Sequence, residues 1–476
     1  MRRCGELAQR VCARGGGRQR RARWVSGLFN RDSFRECMAG WAKSIITGRA
    51  RLGGIPVGVI VPEVRSTMAV IPADPATPAS KETVIVQAGQ VWYPDSAFKT
   101  AQAIRDFTGE DLPILIIANW RGFSGGARDM FGEVLKYGSY IVDALTHASQ
   151  PVLVYIPPHG ELRGGAWVVV DPTINAAAME MYADPTGRGG VLEPSGTAAI
   201  KYRHRDMMAT AHRLDPVLKS LSARVKTGGD AAGVAEAKRE MKAREESLAG
   251  VYLQVAHAFC DLHDTPGRML AVGAIHGVVP WRRARSFFYW RLRRRLAERS
   301  LMQRMMAAAP QLSTAHATTL LTSWFREAMV AEGVLRAVSP HTEAALWRDD
   351  ARVLRWLADT RDTLEARALQ LRRESIAETV LSLGMEDASA VVTGVLALLN
   401  RLAPDRKEAA IAALRRGVLL GPQSTLSIPP VASGAPGRHS GGGVGGGGGA
   451  MTSGAAAMTG LDAGGASASG MRAFPL

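Results

Sequence analysis

Cysteine is scarce, with four in 476 residues, at positions 4, 12, 37 and 260. So few and so scattered, they exclude a disulfide framework, and they lack the paired spacing of a zinc site. Long hydrophobic runs are also missing. Stretches such as Pro113–Ala118 and Trp167–Val170 are strand-length, which excludes a membrane-spanning helix. There is no Walker A sequence and no glycine-rich dinucleotide fingerprint. In Gly122-Phe123-Ser124-Gly125-Gly126, glycine does not flank serine as a nucleophile elbow requires. His257 and His263 with Asp261 and Asp264 come nearest to a metal set, but their spacing suits a helix surface or a capping role, and no metal is expected.

Acidic charge is short as well, with 43 Asp and Glu against 59 Lys and Arg, a net +16. The excess is local. Residues 1–23 carry eight arginines against Glu6, and residues 281–299 carry eight against Glu298, each segment netting +7. The remainder is near neutral, so the broad basic face of a nucleic-acid binder is not expected. What is present is a globular composition, 46% hydrophobic and 21% charged, long enough for two or three domains.

Four regions follow. Residues 1–26 are basic and glycine-interrupted, without the apolar run of a secretory signal; they read as a disordered tail or as an organelle transit peptide. From 27 to 300 the first part is α/β. Strands are expected at Ile55–Val61, Thr83–Val86, Pro113–Asn119, Pro151–Ile156 and Ala166–Val170, and helices at Asp95–Phe107 and Gly126–Leu145. From His212 the pattern is helical, with a hairpin around Ala235–Ser247. Residues 301–420 read as a helical extension anchored by Trp324, Trp347 and Trp356. Residues 421–476 are rich in Gly, Ala and Ser, with too little bulky apolar material to order a chain, and are expected to be disordered.

The chemistry points to two loops. Asn119-Trp120-Arg121-Gly122-Phe123-Ser124-Gly125-Gly126 follows a buried strand and opens a helix. Glycines there allow close backbone approach, first-turn amides lack intrahelical acceptors, and Arg121 can clamp a carboxylate. Gly160-Glu161-Leu162-Arg163-Gly164-Gly165 repeats arginine before paired glycines after the next strand. Two such loops at one sheet edge suit a reaction with two carbonyl-like oxygens. A tight turn beside a surface arginine is the plainer alternative. In Trp281–Arg299, arginines interleave with Phe287, Phe288, Tyr289 and Trp290. Base stacking is one reading; a continuous helix with its aromatics packed and its arginines facing solvent, an acidic partner or a phosphate is the favoured one.

These motifs closely resemble the C-terminal half of the carboxyltransferase domain of eukaryotic-type multidomain acetyl-CoA carboxylase. The resemblance runs through Leu28–Phe34, Thr47–Pro56, Gln90-Val91-Trp92, Phe98–Gln102, Asn119–Asp129, Glu161–Trp167, Asp171–Asn175, Met179–Asp184, Gly190–Pro194 and Phe287–Leu296, strongly over 28–300 and loosely over 300–415. It implies a crotonase-like (ClpP/crotonase) superhelix of ββα units with a largely helical C-terminal extension. It implies carboxyl transfer from carboxybiotin to acetyl-CoA, giving malonyl-CoA for fatty-acid synthesis. Arg121, Gly125 and Gly165 take catalytic positions by this resemblance, and Gly126, Arg163, Gly164, Lys201 and Arg203 substrate-binding ones. Biotin would be the cofactor, brought by a carrier domain absent from this chain.

The implied partners are an acyl-CoA, the biotin carboxyl carrier domain and a carboxyltransferase N-half. A homodimer is expected in the complete enzyme, with no membrane and no nucleic acid. Without an N-half the isolated chain is expected to be incomplete and inactive. Lys242, in Glu240-Met241-Lys242-Ala243, reads as a surface residue rather than a biotin acceptor, and Ser195 replaces the family's usual glutamate or glutamine. A carboxyltransferase for another acyl-CoA and a non-catalytic dimerising paralogue remain alternatives. The expected compartment is the cytoplasm or, alternatively, a plastid.

Overall fold

The computed structural model describes residues 27–334 and 340–420. The basic segment 1–26 and the Gly-rich tail 421–476 lie outside the described residues. Two compact units are distinguished, Met1–Leu398 and Leu399–Leu476. The described part of the second holds the end of the helix Ala388–Arg401 and the helix Pro404–Leu420.

The first unit is built on a seven-stranded mixed sheet. In chain order the strands are β1 (Arg35–Cys37), β2 (Ile45–Leu52), β3 (Ile55–Pro62), β4 (Thr67–Ile71), β5 (Thr83–Gln87), β6 (Val91–Trp92), β7 (Ile114–Ile117), β8 (Gly122–Phe123), β9 (Val152–Ile156), β10 (Glu161–Arg163), β11 (Met179–Ala183), β12 (Arg188–Gly190) and β13 (Gly277–Val278). The main sheet runs β1-β2-β3-β7-β9-β11-β13, antiparallel as far as β3 and parallel beyond it. Side chains on its continuous apolar strands alternate between two cores. Ile114, Ile116, Val152 and Val154 meet Ile104, Phe107 and Ile141 on one side. Leu115, Leu153 and Tyr155 meet Phe288 and Leu292 on the other.

A strand–strand–helix passage recurs along the chain. β7 is followed by β8 and a helix, β9 by β10 and the helix Gly164–Val168, β11 by β12 and the helix Pro194–Lys201. β3 reaches β6 and the helix Pro94–Gly109 after the β4–β5 hairpin. The short second strands form their own layer. β6 pairs with β8 and β10 with β12, all parallel, and a Trp120–Leu162 bridge joins the two pairs.

The structure corrects three local expectations. Gly126–Leu145 is not one helix but two, Ala127–Phe131 and Val134–Thr146. Glu133 has φ +63°, a left-handed conformation that stops propagation after Gly132. Ala166–Val170 is not a strand, since its first residues belong to the helix Gly164–Val168. Ala166, Val169 and Val170 are buried and Val168 is exposed, a helical rather than an alternating pattern. The β-branched run misled because the tertiary environment overrides propensity in so short a segment.

The third correction concerns the second arginine cluster. The helix Trp281–Ala308 is continuous and Phe287 and Phe288 pack, but five of the eight arginines in residues 281–299 bind groups of the chain itself rather than facing solvent alone. Arg291 grips Glu180 with two 2.7 Å hydrogen bonds and Asp350 with one of 2.8 Å. Arg294 is 1% exposed and donates to Glu298 at 2.7 Å and to the Trp347 carbonyl. Arg295 pairs with Glu180 and Glu298, Arg299 with Asp111, and Arg285 donates to the carbonyls of Leu28 and Phe29. Burial alone would raise the Glu180 carboxyl, but Arg291 and Arg295, with the Tyr182 hydroxyl, hold it down at about 2.

Beyond the sheet, the helices Pro216–Thr227 and Ala231–His263 pair as a hairpin across Gly228, joined by Arg224–Glu240 and Arg244–Asp215 contacts. The helix Trp281–Ala308 continues into a helical cluster through Leu301 and Met305. There Phe325 lies at the centre, with the rings of Trp347 and Trp356 at 5.1 and 5.2 Å, and Trp324 packs at the edge under Arg367.

Candidate active site

The two glycine loops leave the carboxyl ends of β7 and β9, neighbouring parallel strands, so they emerge side by side. Asn119 ties them together. Its Oδ1 accepts from the Glu161 amide at 3.0 Å and from Gln90 Nε2 at 2.5 Å. The Arg163 amide donates to the Trp120 carbonyl at 2.9 Å, and the Arg121 amide to the Gln90 carbonyl at 2.8 Å. Beneath them Trp92 stacks on Trp120 with centroids 4.3 Å apart and tilts against Phe123 at 5.1 Å. A methyl group on Gly165 would sit 3.2 Å from the Phe123 ring, so the second loop rests directly on an aromatic of the first.

Gly164 has φ +50°, the turn that lets Gly165 open the next helix. Nothing lies within 4 Å of where a Gly125 side chain would begin, so that backbone faces open space. Each loop opens a helix of only five residues. The long helix expected after Gly126 is absent, and donor power therefore rests on individual first-turn amides rather than on a long aligned dipole.

Arg121 is exposed and makes no ion pair among the described residues. Arg163 differs. It is 4% exposed, and its guanidinium donates to Glu161 at 3.3 Å, to the Leu192 carbonyl at 3.1 Å and to Asp264. Burial raises the Asp264 carboxyl, against the pull of Arg163. Neighbouring Asp261 is lowered by its two hydrogen bonds with Arg188, at 2.8 and 3.0 Å. His263 Nδ1 lies 3.0 Å from the Phe259 carbonyl. Among the described residues no group of three His, Cys, Asp or Glu is arranged to hold a metal ion.

The structure thus gathers Arg121, Gly125, Gly126, Gly164 and Gly165 at one edge, with Arg163 buried beside them. Lys201 ends the helix Pro194–Lys201 and Arg203 precedes the next helix; both are exposed, and no contact brings either to the loops. Lys201 lies near Cys260, whose thiol is raised by burial and by Asp264 while Lys201 opposes the shift. Sequence reasoning passed over Phe123 as a support, Asn119 as a tie and Asp264 as a partner of Arg163. Each acts across tens of residues, so no local pattern announces it. Backbone donors beside an unpaired guanidinium can hold a carboxylate and stabilise a developing oxyanion.

The carboxyl transferase domain family model matches residues 19–296. Acetyl-CoA carboxylase of Dictyostelium discoideum is 47% identical over 398 residues, 83% of this chain and 17% of that protein. The Saccharomyces cerevisiae acetyl-CoA carboxylase is 45% identical over 401 residues, 84% of this chain and 17% of that protein. The chain therefore spans about a sixth of the length of these relatives. The beta subunit of P. aeruginosa geranyl-CoA carboxylase superposes with TM-score 0.38 at 16% identity, over 56% of this chain and 39% of that one. So loose a likeness does not bear on function. With its family match covering more than half the sequence, the chain belongs to the carboxyl transferase domain family.

Proposed function

We propose that this chain is the C-half of an acetyl-CoA carboxylase carboxyltransferase, moving the carboxyl group of carboxybiotin to acetyl-CoA to give malonyl-CoA for fatty-acid synthesis. The observation that carries this reading is the contact of the two glycine loops beside an unpaired Arg121. The similarity to acetyl-CoA carboxylases supports it. The recurring strand–strand–helix passages support a crotonase-like superhelix over 27–300, with a helical extension over 301–420.

Biotin, when presented by its carrier domain, would supply the activated carboxyl group. The residues fit such a group, because both loops are glycine-lined and Arg121 beside them carries no carboxylate partner among the described residues. Arg121 would bind the carboxylate through paired hydrogen bonds. The amides at Gly125 and Gly165 would face the two oxygens that gain negative charge, one on the acyl thioester and one on the ureido group. Gly126 and Gly164 would keep that surface clear of side chains, while Lys201 and Arg203 would attract the phosphates of coenzyme A from a distance. The partners on this reading are an acyl-CoA, the biotin carrier domain and an N-half, within a dimer.

The test is malonyl-CoA decarboxylation with free biotin by the chain assembled with an N-half. Arg121→Ala should lower kcat/KM by about a hundredfold while the assembly keeps its mass. An unchanged kcat/KM would remove Arg121 from the site. Failure of the unsubstituted assembly to act on malonyl-CoA, with turnover of another acyl-CoA, would move the reading to that substrate.

A further inference from the structure

We infer that Asp264 is a positioning residue for the second glycine loop, acting through buried Arg163; the catalytic consequence rests on the function proposed above. Asp264 ends the helix Ala231–His263, a hundred residues from the loop in sequence. It grips the loop's surroundings at two points. Its carbonyl accepts from the Gly189 amide of β12 at 3.0 Å, and its carboxylate accepts from Arg163 Nη1. Arg163 immediately precedes Gly164, whose backbone is left-handed, and its remaining hydrogen bonds reach Glu161 and the Leu192 carbonyl.

Gly164 in turn lies against this same segment, since a side chain there would begin 3.3 Å from the Val191 carbonyl. The guanidinium is thus a bracket that joins β10, the turn after β12 and the end of the long helix. Arg163 Nε and Nη1 both engage the protein, so a substrate could take those donors only by breaking the bracket.

Glycine at 190 makes the bracket possible. A methyl group there would come within 2.8 Å of Asp264 Oδ1 and 3.4 Å of Arg163 Nη1. Arg188 and Asp261 form a parallel tie between β12 and the same helix, so the helix end stays in place when the Asp264 carboxylate is altered. The loop should loosen locally and the fold should persist.

The experiment compares amide hydrogen exchange over residues 163–169 of the full chain in the unsubstituted protein, Asp264→Asn, Asp264→Glu and Gly190→Ala. Exchange there should rise about tenfold in Asp264→Asn and Gly190→Ala, with less change in Asp264→Glu and none in β7 or β9. Unchanged exchange in both Asp264→Asn and Gly190→Ala overturns the proposal.

In the assembly with an N-half, Asp264→Asn should lower kcat for malonyl-CoA decarboxylation tenfold or more and leave KM in place. Loosened exchange with unchanged kcat would overturn the catalytic consequence. An inactive unsubstituted assembly would count against the function reading, leaving exchange to decide the positioning role. Should Asp264→Asn fail to fold, Gly190→Ala carries the same comparison.

Discussion

A lysine on an amphipathic helix normally marks its wet face, yet Lys99 is wholly buried. Its ammonium donates to the carbonyls of Met38, Trp41 and Ile45 at 2.8 to 2.9 Å, and to that of Ala42 at 3.4 Å. The carbonyls of Met38, Trp41 and Ala42 belong to the loop between β1 and β2, which holds left-handed Met38 and Ala42, and that of Ile45 opens β2. The charge thus gathers a strained loop onto the helix Pro94–Gly109. Lys99→Met keeps the apolar stem and leaves the carbonyls without their donor. It should destabilise the chain by about 3 kcal/mol, seen as a lower urea midpoint at unchanged slope. Nothing local in Phe98-Lys99-Thr100 distinguishes this lysine from a surface one. The loop that carries Arg121 and Gly125, by contrast, is legible because its pattern is local: a glycine-rich turn after a buried strand.

Apolar runs were readable where the chain stayed extended, and misread where a turn preceded them. β7 and β9 are buried on both faces and announce themselves as continuous apolar runs. The run from Ala166 to Val170 has the same composition, but the end of β10 and the left-handed Gly164 start a helical turn there. A pair of substitutions separates the alternatives. In a strand, Val168 and Val170 share a face; in the structure, Val168 at the helix end is exposed and Val170, just beyond it, is 1% exposed. Val168→Asp should therefore change stability by no more than about 0.5 kcal/mol. Val170→Asp should cost on the order of 3 kcal/mol or more, because it buries an unpaired carboxylate. Similar losses in a thermal melt would contradict the helical assignment.

For the whole molecule, the notable fact is where the positive charge goes. Five of the eight arginines in residues 281–299 (Arg285, Arg291, Arg294, Arg295 and Arg299) bind carboxylates or carbonyls of the chain itself. Arg291 joins Glu180 of β11 to Asp350 of the helical cluster, so the cluster of charge acts as internal cement between sheet and helices.

Glu180 sets the acid limit of this joint. Its folded value of about 2 lies below its unfolded value of 4.5. The unfolded chain therefore binds the proton first as pH falls. The stabilisation is complete above 4.5 and is lost progressively towards 2, on the order of 3 kcal/mol in all. Glu180→Gln should flatten the dependence of unfolding free energy on pH across that window. An unaltered slope would show that the pair contributes nothing there.

Sequence by itself determined the regular α/β core, the helical C-terminal region and the two glycine loops, because each depends on periodicity or on residue types within one short segment. Only tertiary structure decided that the loops share one aromatic floor, that Arg163 is a bracket rather than a free cation, and that five arginines of the second cluster bind the chain itself. Those outcomes depend on carboxylates and carbonyls brought from distant parts of the chain. In a low-dielectric interior such partners decide whether a charge is bound or free, and spacing along the sequence carries no record of them.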